Sequence, residues 1–211
     1  MGRGNFISFE GGEGSGKSSQ VGRLADRLAA AGLTVVRTHE PGGTEGADAI
    51  RQLLVTGSAD RWDPVSEVLL HYAARRDHVE RVIAPALARG DWVVCDRFAD
   101  STMAYQGYGY GLGIELIDTV HRAVLGDFAP DMTIIMDFDP ADGLARARAR
   151  DPDPSRYERF DLAFHRRLRQ GFQAIAAREP GRCAVVDAAG SLGAVEAAVW
   201  AAVSARLKLP A

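Results

Sequence analysis

The sequence predicts a three-layer α/β sandwich, with a five-stranded parallel sheet, helices on both faces and a short lid. Three observations predict it. Five short β-branched runs are separated by amphipathic stretches of helical length, and strand alternating with helix implies parallel strands covered on both sides. The first run leads into a glycine-rich turn that opens a helical stretch. The chain of 211 residues is long enough for one such domain with a substantial core and too short to presume two. Residues 1–211 are therefore read as a single domain.

The strands are expected at 5–11 (NFISFEG), 33–40 (LTVVRTHE), 91–96 (DWVVCD), 132–139 (MTIIMDFD) and 183–188 (CAVVDA). All five read as buried, rich in β-branched residues and bounded by Gly, Asp or Pro. Between the first two, SSQVGRLADRLAAAG sets Val21, Leu24, Leu28 and Ala31 at helical spacing and stops at Gly32, a residue suited to the helix end. The stretch from Pro64 to Gly90 is long and amphipathic. Pro85 within it should kink or break the helix, because proline lacks an N–H. GIELIDTVHRAVLG and RRLRQGFQAIAARE follow the same helical logic. No repeat, low-complexity tract or linker interrupts the pattern.

Hydrophobic residues make up 46% of the chain and charged ones 25%, as in an ordinary soluble globular protein. The formal charge of −3 argues against a general nucleic-acid surface. No run approaches the roughly 18 apolar residues of a membrane span, and Met1 to Asn5 lack the apolar core of a secretory signal. The expected compartment is the cytoplasm, with neither nucleic acid nor membrane as a partner. Cys95 and Cys183 adjoin β-type apolar residues and read as small buried hydrophobes, not as a disulfide or metal pair.

Four segments carry chemistry. The first, FEGGEGSGKSSQ from Phe9 to Gln20, contains Gly11-x-x-x-x-Gly16-Lys17-Ser18. Glycines let backbone N–H groups turn onto phosphate oxygens, and the helix N-terminus adds partial positive charge. The triphosphate cradle is thus Gly11, Gly12, Glu13, Gly14, Ser15, Gly16, Lys17, Ser18 and Ser19. Lys17 would span the β- and γ-phosphates and Ser18 would ligate Mg²⁺. A chance glycine turn could share the composition, but strand, loop and helix would not then fall in register. Lysine occurs only at 17 and 208, so one placed in this loop is hard to read as a solvated surface charge.

The second segment is VVCDRFADSTMAYQG. Asp96 ends a buried apolar run, as an acid that reaches Mg²⁺ must, and Arg97 beside it suits a phosphate. A strand-terminal ion pair between the two is the structural alternative. The third segment, Glu40-Pro41-Gly42-Gly43-Thr44, ends the second strand, with Arg51 following on a helix. It is either a plain turn or one wall of the same crevice. The fourth is LARARARDPDPSRYERFD, with Asp139 as N-cap and Pro140 in the first helical position. Arg146 and Arg150 share one side of that helix while Arg148 points away. A basic segment broken by DPDPS reads as a mobile lid over about 143–158, or else as a solvated basic face.

Together the segments FEGGEGSGKSSQ, EPGGT, LLHYAAR, DRFADSTMAYQG and ARARAR resemble the thymidylate kinases, in that family's order and over roughly the first three quarters of the chain. The DR-x-x-x-S-x-x-AYQG block is the most specific part, since many unrelated enzymes share the phosphate loop. The resemblance implies a P-loop NTPase fold that transfers the γ-phosphate of ATP to dTMP, giving dTDP and ADP. It implies Mg²⁺ as cofactor, held at Ser18 and Asp96, and a homodimer.

The resemblance also implies site residues. Lys17, Arg97, Arg150 and Arg156 would be catalytic. The dTMP site would comprise Glu13, Glu40, Arg51, His71, Arg75, Arg97, Ser101, Tyr105 and Gln106. Within it Glu13 would bind the 3′-hydroxyl, Arg97 and Arg51 the acceptor phosphate, and Arg75 and Gln106 the base. Tyr105 would crowd the 2′ position. The family commonly has Phe where this chain has His71, and Arg where it has His39. The phosphate loop holds no arginine, while Arg146, Arg148, Arg150 and Arg156 lie in the lid, the arrangement of the bacterial members. Adenine would meet the loop from Asp187 to Ser191.

Two other functions keep a place at this level. A deoxynucleoside kinase would phosphorylate a 5′-hydroxyl and need a general base, with Glu40 or Glu13 available. A nucleotide switch would bind partners, but the Asn-Lys-x-Asp pattern of guanine-specific switches cannot occur with lysines only at 17 and 208.

Overall fold

The computed structural model describes residues 2–58, 60–150 and 155–209, with Arg150 described in its backbone alone. Five strands form one parallel sheet: β1 (Phe6–Glu10), β2 (Val35–His39), β3 (Trp92–Asp96), β4 (Met132–Asp137) and β5 (Cys183–Asp187). Their order across the sheet is β2-β3-β1-β4-β5, and each neighbouring pair is parallel. The chain leaves β1 toward one edge and later returns to its other side at β4. That reversal opens a crevice at the carboxyl ends of β1 and β3, where α/β sheets bind ligands.

Alternation along the central strands builds two cores. Phe6, Val93, Cys95 and Ile135 face one side, where they pack with Tyr72, Ile83, Phe98 and Phe172. Ile7, Phe9, Val94 and Ile134 face the other, against Val21, Leu24 and Leu28. A side chain of this size contributes about 1.5–3 kcal/mol when fully buried, so the period-2 pattern fixes which helices lie on which face. The edge strands depart from the expectation of full burial. β2 is only partly buried along its length, and Val185 of β5 is exposed, because each edge strand has a neighbour on one side only.

The helices are α1 (Lys17–Ala30), α2 (Glu45–Val55), α3 (Pro64–His78), α4 (Ala84–Ala88), α5 (Ala99–Thr102), α6 (Ile114–Leu125), α7 (Pro140–Arg150), α8 (Leu162–Arg178) and α9 (Leu192–Arg206). Helix α1 ends as its sequence requires. Gly32 takes φ +86°, and the N–H groups of Gly32 and Leu33 bond back to Ala29 and Leu28, a Schellman closure. Helix α3 starts at Pro64 with Asp63 accepting from Val65 and Ser66. Pro85 does not end the helix but alters its winding. A π-helical turn at Val79–Ile83 precedes it, and α4 then continues to Ala88, so the lost N–H is absorbed by a local change of pitch. A second π-helical segment, Met103–Gly109, carries Tyr105 and Gln106.

Helix α7 begins with Asp139 accepting from Ala141 and Asp142, as the N-cap expectation requires. The DPDPS break expected in the lid lies mostly outside the described residues, at 151–154. Beyond it Arg156–Arg159 form a 3₁₀ turn. Cys95 and Cys183 are free and buried. No helix among the described residues is long and apolar enough to cross a membrane.

Candidate active site

A crevice of about 650 Å³ runs along the carboxyl ends of β1, β2 and β3, in the size range of small-molecule sites. Its floor is the loop between β1 and α1. Gly14 in that loop has φ +65°, and a Cβ there would come within 2.1 Å of the Gly143 carbonyl. Only glycine lets the loop close against the start of α7. Lys17 is buried, and its ammonium donates to the Gly12 carbonyl at 2.7 Å and to Ser15 Oγ at 3.3 Å. Burial and the nearby Arg97 guanidinium push that ammonium down to about 8. Ser18 Oγ donates to Asp96 Oδ2 at 2.5 Å. A hydroxyl and a carboxylate so placed make the hard-oxygen donor set that Mg²⁺ prefers.

Asp96 and Arg97 are not an ion pair with each other, which sets aside the structural alternative for this segment. Arg97 instead turns back across the site. It is the one non-glycine residue with positive φ among the described residues, at +72°, a conformation that costs energy and clusters at functional sites. The surroundings hold it there. Its N–H bonds to the Phe9 carbonyl, and its guanidinium donates to Gly11 O, Ser101 Oγ and Glu13 Oε1, each at 3.1 Å. Beneath it the buried Glu10 accepts from Phe98 N–H at 2.7 Å and Ser101 Oγ at 2.5 Å. Burial and the neighbouring Asp100 push the Glu10 carboxyl up to about 8.

Glu13, the acid inside the loop, also accepts from the Tyr105 hydroxyl at 2.5 Å. Burial alone would raise its pKa, but Arg97 and Lys17 outweigh that and hold the carboxyl at about 2. Burial keeps the Tyr105 phenol well above its ordinary range, so it stays protonated and donates.

The far wall is α3. Glu67, His71 and Arg75 recur every fourth residue on one face of it. Arg75 is almost fully buried, with Nε on Glu40 at 2.7 Å and Nη2 on Phe98 O and Thr102 Oγ1, both at 3.1 Å. Its Nη1 is buried without a partner. Glu40 also meets His78 Nδ1 at 3.0 Å. His71 contacts the Tyr157 hydroxyl at 3.0 Å. Burial, with Arg75, Arg97 and Arg51, pushes the imidazole down to about 3, so it is neutral. Gln106 is fully buried, with Nε2 on Glu67 Oε1 at 2.6 Å, and its Oε1 has no partner. Arg51 reaches the Pro41 carbonyl at 2.8 Å, across a cis Glu40–Pro41 bond.

The crevice thus gathers Glu13, Gly14, Gly16, Lys17, Ser18 and Ser19 with Glu40, Arg51, His71, Arg75, Asp96, Arg97, Ser101, Tyr105 and Gln106. Gly11 and Gly12 lie behind it, facing β4 and α8. The expected adenine loop, 187–191, is not part of the crevice wall.

The arginines of the expected lid divide. Arg146 lies over the Phe138 ring at 4.0 Å, Arg148 is exposed, and the Arg150 side chain lies outside the described residues. Arg156 departs from the lid-cation expectation. It is 1% exposed, and its guanidinium pairs with the equally buried Glu67 and reaches Tyr110 Oη at 3.3 Å. A basic residue read from sequence as mobile is here locked into the wall by a carboxylate 89 positions earlier in the chain.

Several contributors were not singled out by sequence reasoning: Glu10, Glu67, Tyr157 and Glu158. Only Glu67 had an available signal, its i, i+4, i+8 spacing with His71 and Arg75.

This geometry agrees with what comparison with known proteins finds. A protein-family model described as thymidylate kinase matches residues 9–199. The chain belongs to the thymidylate kinase family. It is 58% identical to the thymidylate kinase of Caulobacter vibrioides over 99% of this chain and 100% of that protein. It is 50% identical to that of Nitrobacter winogradskyi over 97% and 90% of the two chains. The crystal structure of thymidylate kinase from Ehrlichia chaffeensis superposes with a TM-score of 0.80 at 36% identity, covering 96% of this chain and all of that one. Thymidylate kinases use ATP as phosphate donor and dTMP as acceptor, two phosphate-bearing substrates for one crevice lined by both the phosphate loop and α3.

Proposed function

We propose that this chain transfers the γ-phosphoryl group of ATP to the phosphate of dTMP by direct in-line displacement, giving dTDP and ADP. The observation that carries this reading is Arg97. Its strained backbone sets a cation beside the phosphate loop, in the crevice that α3 also lines, where the two phosphates must meet. Charge spreads over the transferring oxygens in such a reaction, so fixed cations supply most of the catalysis.

Lys17 binds the β- and γ-phosphates, giving up its bonds to Gly12 and Ser15. Arg97 and Arg51 hold the acceptor phosphate, and Arg150, one turn beyond Arg146, is the lid cation assigned to the transferring group. Ser18 and Asp96 would hold Mg²⁺, which when bound neutralises charge on the phosphate oxygens. Glu13 accepts from the 3′-hydroxyl, Tyr105 walls off the 2′ position, His71 stacks on the base, and Arg75 and Gln106 read its edge. Ser101 and Glu40 support Arg97 and Arg75 from behind. No general base is required, because a phosphate monoester with a second pKa near ~6 is already mostly ionised at neutral pH.

Hydroxyl phosphorylation is less well supported. Glu40 is occupied by Arg75 and His78, and a carboxylate held at about 2, as Glu13 is, is too weak a base for that task. As in the family, the chain is proposed to act as a single-domain homodimer in the cytoplasm, with a lid spanning about 143–158.

Replacing Arg97 tests the reading. Arg97→Ala is expected to lower kcat/KM for dTMP by roughly 10²–10³, the scale for removing one charge-stabilising donor, with KM for ATP little changed. Unchanged dTMP kinetics would remove Arg97 from the acceptor site.

A further inference from the structure

Glu67 has no place in the mechanism above, yet it is the most heavily used acceptor near the base recess. It is fully buried on α3. Its Oε1 accepts from Gln106 Nε2 at 2.6 Å and Tyr157 Oη at 3.0 Å. Its Oε2 faces Tyr110 Oη at 3.4 Å and the Arg156 guanidinium. An ionised carboxylate offers about four acceptor positions, and four donors fill them.

We infer that Glu67 is a specificity-determining positioning residue, which fixes the Gln106 amide so that only its oxygen is left for the base. A carboxylate can accept but not donate. The Gln106 amide must therefore turn its NH₂ to Glu67, and its Oε1 remains buried and unpartnered. Arg75, which lines the same crevice from α3, keeps one buried donor to spare, Nη1. One acceptor and one donor match the thymine edge, where N3–H adjoins O4. Cytosine reverses both, with a bare N3 beside an amino group, and would leave each protein atom facing its own kind. The inference rests on assigning Gln106 and Arg75 to the base.

The same carboxylate ties the C-terminal part of the expected lid to α3. The Tyr157 hydroxyl gives its single proton to Glu67, so His71 Nε2 must carry the hydrogen that it donates to the Tyr157 oxygen. Arg156 and Tyr157 together anchor the 3₁₀ turn after residue 155 to α3 through Glu67.

The test is the ratio of kcat/KM for dTMP to that for dCMP at saturating ATP, in wild type, Glu67→Gln, Gln106→Leu and the double variant. A glutamine at 67 offers one oxygen and one NH₂, so the Gln106 amide is free to turn. Glu67→Gln is expected to lower the ratio by about tenfold or more, chiefly through KM for dTMP. In the Gln106→Leu background it should lower the ratio no further, the mark of action through Gln106. A ratio lowered by Gln106→Leu but untouched by Glu67→Gln overturns the inference and leaves the base site standing. A ratio indifferent to Gln106→Leu overturns both. If Glu67→Gln does not fold, exchange of the Gln106 side-chain amide in the wild type decides, assigned by its loss in Gln106→Leu. Slow exchange is expected, and a rapidly exchanging amide contradicts the clamp.

Discussion

Tyr105 donates its hydroxyl to Glu13 at 2.5 Å, joining the π-helical segment after β3 to the variable part of the phosphate loop. Its ring and its hydroxyl thereby do separable things. Tyr105→Phe should keep the wall at the 2′ position and cost about 1–3 kcal/mol of stability, because a buried carboxylate loses a donor. Tyr105→Ala should also open the wall. The preference for dTMP over the corresponding ribonucleotide, read as a ratio of kcat/KM, should survive the first change and fall about tenfold or more in the second. Equal effects of the two variants would mean that the ring does not line the 2′ position.

Lys17 gives a pH dependence with a defined sign. With the ammonium at about 8 in the ligand-free chain, the cation that meets the triphosphate is lost as pH rises through that value. kcat/KM for ATP should therefore fall above pH 8. Bound phosphates favour the charged form, so the matching limb in kcat should lie at higher pH. The check is a pair of pH profiles. A kcat/KM profile flat beyond pH 9 would contradict the assignment.

Arg156 and Arg148 look alike in sequence and should behave oppositely. Arg156→Ala leaves Glu67 buried without its charged partner, a loss of roughly 3–5 kcal/mol for a broken buried pair. Arg148→Ala removes an exposed side chain and should stay within ~0.5 kcal/mol. Denaturant unfolding of both variants reads the difference. An Arg156→Ala variant of unchanged stability but reduced turnover would instead support the role of catalytic cation for that residue.

Legibility followed the range of the forces involved. The strands and helices α1, α3 and α7 were readable because their signals are local: β-branched runs, a terminal glycine, an amphipathic repeat, and the Asp139-Pro140 cap. Strand ends moved by at most two residues, since pairing partners decide where a ladder stops. Helix α9 drew no notice because LGAVEAAVWAAVSAR lacks a clear polar face. The π-helical turn before Pro85 could not be told from a break, for both answer the same missing N–H. At the site, the phosphate loop is read from its spacing, and Asp96 with Arg97 from their place at the end of a buried apolar run. The cluster around Glu67 does not, because its partners Gln106 and Tyr157 lie 39 and 90 positions away. Arg156 reads as a mobile lid cation for the same reason: its charge is visible in sequence, and the carboxylate that it pairs with is not.

Whether the accepting group is a phosphate or a hydroxyl decides the function, and one assay reads it directly. With ATP and Mg²⁺, the chain should convert dTMP to dTDP with one ADP formed per dTDP, and leave thymidine unchanged. Phosphorylation of thymidine, with no dTDP formed from dTMP, would contradict it.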